Sequence, residues 1–323
     1  MDDYQKTVAT MQELDLFRDW PDLQEIFSGA ASRSPKAWRL PLIACEAVGG
    51  ERWNAVPAMA AIACAQISII LIDDMLDQDP RGEYRHRGEG GTANLALAFQ
   101  AAGLEAIACS KLQPNIKLAA LGCLNQMMLT TALGQHLDVQ NLKDEAAYWE
   151  LVRTKSSPFF GAAFQVGAFY GGASLETAAQ LARLGRVYGE MIQIHDDLND
   201  SMSVPANPDW TQGRSPLPML FAQTVSHPEK ARFVQLRQAM PDEAALSEAQ
   251  QILVRCGAIS YAVDVLLRKY ETVMEMIRSI ALPRTGVLEG LLKEIVDPVL
   301  KLFESIGVQE SGQILLQPPS LEA

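Results

Sequence analysis

Residues 55–77 read AVPAMAAIACAQISIILIDDMLD, and the fold follows from this stretch. It is apolar around nearly the whole circumference of a helix, so no side of it suits water. Its apolar part, Ala55 to Ile72, approaches the length of a membrane span, but the many alanines, Pro57, Gln66, Ser68 and the aspartates directly after it fit a buried helix better. Outward from it, almost every segment repeats its apolar residues with a period near 3.6, and runs of alternating β-branched residues between turns are missing.

The expectation is an all-α fold. Helices are predicted at about 36–49, 54–78, 91–111, 115–141, 144–172, 174–203, 215–225, 228–239, 243–255, 257–281 and 285–305. Gly49-Gly50, Pro80, Gly90-Gly91, Pro114, Gly171-Gly172, Pro205 and Pro283 punctuate the pattern. No linker or repeat divides the chain, so one domain is expected over residues 31–306. An N-terminal helical arm is expected over 1–30 and a loose tail over 307–323. Several helices exceed 20 residues, which suits a large bundle.

Composition narrows the function. The 323 residues are 48% hydrophobic, enough for a substantial core. Lys and Arg total 27 against 39 for Asp and Glu, and the resulting charge of −12 has the wrong sign for gripping nucleic acid. Cys45, Cys64, Cys109, Cys123 and Cys256 show no CxxC spacing and read as reduced residues of a cytoplasmic protein. The opening residues carry no signal-peptide pattern, and no transmembrane segment is expected.

The chemistry lies in two acidic clusters. Asp73, Asp74 and Asp77 close the long apolar helix, and Asp73 and Asp77 stand one turn apart on one face. The pattern returns at Asp196, Asp197 and Asp200, after the apolar run from Leu181 to Ile194. Carboxylates crowded at the edge of an apolar stretch are costly unless a cation joins them. Mg2+ favours carboxylate oxygen and keeps waters that phosphate oxygens replace, so two such sets suit a diphosphate ester.

The segments Ile72-Asp73-Asp74-Met75-Leu76-Asp77 and Gln193-Ile194-His195-Asp196-Asp197-Leu198-Asn199-Asp200 resemble the aspartate-rich motifs of the trans-prenyl diphosphate synthases, within the class I isoprenoid synthases. Further segments resemble that family's motifs in the same order: Lys36-Ala37-Trp38-Arg39-Leu40-Pro41, Gly134-Gln135-His136-Leu137-Asp138, Arg153-Thr154-Lys155-Ser156-Ser157 and Gln212-Gly213-Arg214-Ser215-Pro216-Leu217-Pro218. The resemblance spans about residues 34–280 and implies a helical bundle around a deep central cavity.

It also implies roles. Asp73, Asp77 and Asp196 would be the principal Mg2+ ligands, assisted by Asp74, Asp197 and Asp200. Lys155 and Arg214 would hold the allylic diphosphate as its carbon–oxygen bond breaks, and Gln193 would orient the reacting end of the cavity. Lys36 and Arg39 would hold isopentenyl diphosphate, whose double bond attacks the allylic cation. Ser68, Ile69, Cys64 and Ala65 occupy the positions that set chain length; none is aromatic, so a product of about fifteen carbons or longer, near geranylgeranyl length or beyond, is expected. Relatives commonly pair as homodimers through long central helices, and the same is expected here.

Two departures stand out. Gln66 replaces the histidine that the family places seven residues before the first motif, and Gln cannot carry charge. The paired arginines after that motif are blurred, leaving Arg81, Arg85 and Arg87 as candidate diphosphate ligands. Three rival readings follow: a class I terpene cyclase, prenyl transfer to another acceptor, and a noncatalytic partner subunit. A faint cyclase metal motif at Asn199-Asp200-Ser201-Met202-Ser203 ends with Asn207 where a Glu ligand would be expected.

Overall fold

The computed structural model describes residues 1–138 and 144–305, so the expected tail at 307–323 and the end of the helix predicted to reach 141 lie outside the described residues. The described residues hold seventeen α-helices and no strand, an all-α fold. They are α1 (Asp3–Gln12), α2 (Asp15–Arg18), α3 (Pro21–Ser32), α4 (Leu40–Ala47), α5 (Val56–Leu76), α6 (Tyr84–Arg87), α7 (Glu89–Ala108), α8 (Pro114–Asp138) and α9 (Glu145–Lys155). There follow α10 (Ser157–Tyr170), α11 (Leu175–Met202), α12 (Pro208–Gln212), α13 (Leu217–Thr224), α14 (Lys230–Gln238), α15 (Glu243–Arg255), α16 (Ala258–Ser279) and α17 (Gly286–Ser305).

Three predicted helices are subdivided. Short 3-10 turns at Lys36–Arg39 and Arg52–Ala55 precede α4 and α5, each of which has a proline in its first turn. The helix predicted over 144–172 breaks at Ser156, because Pro158 has no amide hydrogen to continue α9 and instead sits in the first turn of α10.

By packing, the described residues form two compact units. The first comprises Met1–Val139, Leu151–Gly189 and Met276–Leu288. Its centre is α5, packed on α7, α1, α4 and α10, with Met59, Ile62 and Ala63 wholly buried. The segment expected as an outer arm is helical but also belongs to this core: Met11, Phe17 and Phe27 are buried, and the Phe27 ring stacks on Trp38 at 5.3 Å between centroids. The described residues of the second unit are 144–150, 190–275 and 289–305. Its α12–α15 segment closes a separate core of Trp210, Met219, Phe233, Leu246 and Ile252.

Among the described residues, two helical stretches, Arg52–Leu76 and Pro114–Asp138, are long and apolar enough to cross a membrane. Protein buries 72% of the apolar window in the first and 22% in the second. Leu118, Leu129 and Leu133 of α8 and Leu97 of α7 accordingly stand exposed.

Candidate active site

In the first unit, α5 ends in the acidic run. The Asp77 amide still donates to the Asp73 carbonyl at 2.8 Å, so the helical spacing of the two side chains continues past Leu76. Burial, and then the carboxylates of Asp79, Asp73 and Asp77, push the Asp74 carboxyl up to about 6 against the pull of Arg81. A nearby cation would relieve that repulsion.

Four of the motif residues meet here. Lys155 closes α9, where unpaired helix carbonyls favour positive charge. Its Nζ lies 3.0 Å from Asp73 Oδ1 and also bonds Asp138. Gln135 Nε2 lies 3.5 Å from both Asp73 Oδ1 and the Ile69 carbonyl oxygen. Gly134 explains the close approach of α8 to this lysine, since a Cβ there would fall 2.4 Å from the Lys155 nitrogen. Burial alone would lower the Lys155 pKa, but Asp73 and Asp138 outweigh it and raise the value, so the ammonium stays charged.

The remaining candidates of this unit are distributed more widely. Lys36 and Arg39 share one 3-10 turn; Arg39 Nε lies 3.0 Å from Asp3 Oδ2, which Arg52 also reaches at 2.8 Å. Arg81 forms a two-pronged pair with Asp79, and Arg87 pairs with Glu83, Glu25 and Asp22. Arg85 lies over the face of Tyr84 at 5.1 Å. The Gln66 Oε1 is buried with no hydrogen-bond partner among the described residues. Of the chain-length positions, Ile69 is partly exposed while Ala65 and Ser68 are buried. Cys64 is buried: its Sγ meets Met11 Sδ at 3.9 Å, and Gly103 of α7 packs against its Cβ.

In the second unit, α11 carries the second acidic set. Asp196 is exposed beside His195, whose Nδ1 lies 3.5 Å from Asp196 Oδ1. Asp197, expected to assist the metal, is buried and accepts three hydrogen bonds. Gln193 Nε2 donates to its Oδ1 at 2.8 Å, while Tyr148 Oη and the Leu217 amide each donate to its Oδ2 at 2.7 Å. Burial pushes this carboxyl up to about 7, while the three donors pull it down. Asp197 thus binds α9, α11 and the start of α13 together. Asp200 is pushed up to about 6 by burial and then by Asp209 and Asp196. Asn207 bonds Asp200 and caps α12 by accepting the Asp209 amide at 3.0 Å, so it serves as a cap where a cyclase would place a metal ligand. Gly213 ends α12 at φ +77, and Arg214 follows with Nη1 3.8 Å from Asp209 Oδ1.

The donor chemistry fits Mg2+ held largely through its substrate. Among the described residues no three Asp, Glu, His or Cys side chains converge into a cage. Mg2+ needs no such cage, because it is bound by one or two carboxylates together with phosphates and water. Tyr148 and Met11 were not singled out in the sequence; each touches a candidate residue remote in the chain, and no local pattern marks them.

Comparison with known proteins agrees with the geometry. The family profile described as polyprenyl synthetase matches residues 22–253. The chain is 30% identical over 244 residues to the short chain isoprenyl diphosphate synthase of Methanothermobacter thermautotrophicus, covering 71% of this chain and 74% of that protein. Geranylgeranyl pyrophosphate synthetase from Pyrococcus horikoshii superposes with a TM-score of 0.76 at 23% identity, over 91% of this chain and 99% of that one. Polyprenyl synthase from Caulobacter crescentus, complexed with calcium and isoprenyl diphosphate, superposes with a TM-score of 0.75 at 20% identity, over 90% and 92% of the two chains. With most of its length matched and its lysine, glutamine and aspartate motifs gathered around Asp73, this chain belongs to the polyprenyl synthetase family of prenyltransferases.

Proposed function

We propose that the chain joins an allylic prenyl diphosphate to isopentenyl diphosphate, with Mg2+ as the metal, giving a longer all-trans prenyl diphosphate of about geranylgeranyl length or more. The observation that carries this reading is the grouping of Lys155, Asp138 and Gln135 on Asp73. Asp73 and Asp77 in the first unit, and Asp196 and Asp200 in the second, offer carboxylate oxygens of the hardness Mg2+ requires. When bound, the metal neutralises the diphosphate and stabilises the charge developing on its leaving oxygen.

The chain's own residues supply the rest. Lys155 and Arg214 hold the allylic diphosphate while its carbon–oxygen bond breaks and the electron pair leaves with pyrophosphate. Lys36 and Arg39 hold the diphosphate of isopentenyl diphosphate, and Gln66 offers its amide where a charged ring is usual. The double bond attacks the allylic cation, and the released pyrophosphate accepts the proton lost afterwards. Gln193, fixed by Asp197, orients polar surface toward the reacting carbon.

The exposed leucines of α7 and α8 support a homodimer, a second copy rather than lipid covering that face. Five free cysteines support a cytoplasmic setting. The test is a product analysis with Mg2+ and geranyl, farnesyl or geranylgeranyl diphosphate, each with and without labelled isopentenyl diphosphate. Label in a longer diphosphate is the expected result. Hydrocarbons or alcohols formed without isopentenyl diphosphate would instead mean a cyclase, and no turnover would mean another acceptor or a partner subunit.

A further inference from the structure

Within the second unit, Arg237 of α14 is directed at the backbone that carries Arg214. Its Nη2 donates to the carbonyl oxygens of Arg214 at 2.6 Å and Asp209 at 3.1 Å, and its Nη1 donates to Ser215 Oγ at 3.4 Å. All three acceptors are neutral. Desolvation lowers the Arg237 pKa, with Asp209 opposing. The exposed arginines nearby behave differently: Arg232 pairs with Glu248, and Arg255 with Glu229. Removing a guanidinium from water to bond neutral carbonyls is costly, and the fold sustains that cost where the backbone must be fixed.

The segment is pinned twice. Arg237 holds it at Asp209, Arg214 and Ser215, while Asp197 accepts the Leu217 amide at 2.7 Å. Between the pinned Asp209 carbonyl, inside α12, and that of Arg214 the chain passes Gly213, whose φ of +77 a glycine adopts without strain. Arg237 also fixes the backbone of Asp209, whose carboxylate is the counter-ion of Arg214.

We propose that Arg237 is a positioning residue for pyrophosphate release and capture: by clamping the 209–215 backbone it presents the Arg214 guanidinium to the diphosphate. It never touches the ligand. The proposal rests on the reading that Arg214 binds diphosphate. A residue that merely stitched α14 to its neighbours would change stability without being coupled to Arg214.

The experiment uses the full chain and reads two quantities. Inorganic pyrophosphate is titrated calorimetrically in the presence of Mg2+, and kcat and KM are measured for the allylic diphosphate. The proteins are wild type, Arg237→Met, Arg237→Lys, Arg214→Gln and the double variant Arg214→Gln, Arg237→Met. Arg237→Met is expected to weaken pyrophosphate binding about tenfold with helix content unchanged, and Arg237→Lys to recover part of the loss. The double variant is expected to bind no more weakly than Arg214→Gln alone, because Arg237 acts only through Arg214. Wild-type binding by Arg237→Met, or additive losses in the double variant, would overturn the proposal. If Arg214→Gln alone binds normally, the role given to Arg214 fails, and that single variant reveals it. Should Arg237→Met fail to fold, Arg237→Lys combined with Arg214→Gln completes the same cycle.

Discussion

Lys155 Nζ sits 3.0 Å from Asp73 Oδ1, so the cation proposed to receive the leaving group and a carboxylate proposed to hold the metal are already neighbours in the protein's own fold. The Asp73 charge raises the Lys155 pKa against the effect of burial, so the lysine keeps its charge. Chemistry at this point therefore depends on two residues 82 positions apart in the chain.

Removing the cation should be felt in the transition state more than in binding. Lys155→Met is expected to lower kcat by on the order of a hundredfold to a thousandfold. Asp73→Ala should abolish Mg2+-dependent ionisation while circular dichroism shows the same helix content. Near-normal turnover in either variant would sink the site as described.

Tyr148→Phe tests the use made of Asp197. The substitution deletes the 2.7 Å bond to a buried carboxylate, at an expected cost of about 1–3 kcal/mol in denaturant unfolding. The Mg2+ concentration giving half-maximal rate should change little, since the hydroxyl touches Asp197 and not the proposed metal ligands. A loss confined to Mg2+ dependence, with stability intact, would return Asp197 to the metal.

The raised carboxyls give a pH signature in chelator. Asp74 and Asp200 each titrate near about 6 when folded, above their ordinary value. Between roughly pH 4 and 6 the folded chain binds protons that the unfolded chain has released, so this component of stability falls as pH rises. The double variant Asp74→Asn, Asp200→Asn should lose that downward component in thermal unfolding measured across the window. An unchanged pH profile in the variant would count against it.

Gln66→His introduces the ring that the motif resemblance implies for this position. It should lower KM for isopentenyl diphosphate several-fold and leave that for the allylic substrate unchanged. Equal KM values before and after would mark Gln66 as structural.

On the exposed face of α8, Leu129→Glu should shift the assembly from dimer to monomer in light scattering after gel filtration. A wild-type protein that is monomeric and sediments with vesicles would overturn the pairing in favour of lipid contact.

Much of this was legible in the chain. The apolar circumference of residues 55–72 calls for burial, and α5 is the buried centre of its unit. The spacing of Asp73 from Asp77 needs only a helix to bring them together. The break at Ser156 was missed because apolar periodicity runs through it, and Pro158 reads equally well as an interior kink or a first-turn residue. The hydrogen bonds from Tyr148 to Asp197 and from Arg237 to Arg214 join residues 49 and 23 positions apart, and neither donor lies in a patterned segment. The contact of Cys64 with Met11 of α1 joins residues 53 positions apart, and no local pattern announces it.

The three donors around Asp197 also bear on how such a chain would decay. An aspartate retained by selection for turnover drifts once turnover no longer matters, whereas one that α9, α11 and α13 all lean on is retained by selection for folding. In a descendant that had abandoned catalysis, Asp73 and Asp196 would erode first and Asp197 would persist. An aspartate-rich segment surviving in part is therefore the expected fossil of a retired enzyme, and its exposed first aspartate, not its buried second, is the letter that dates the loss.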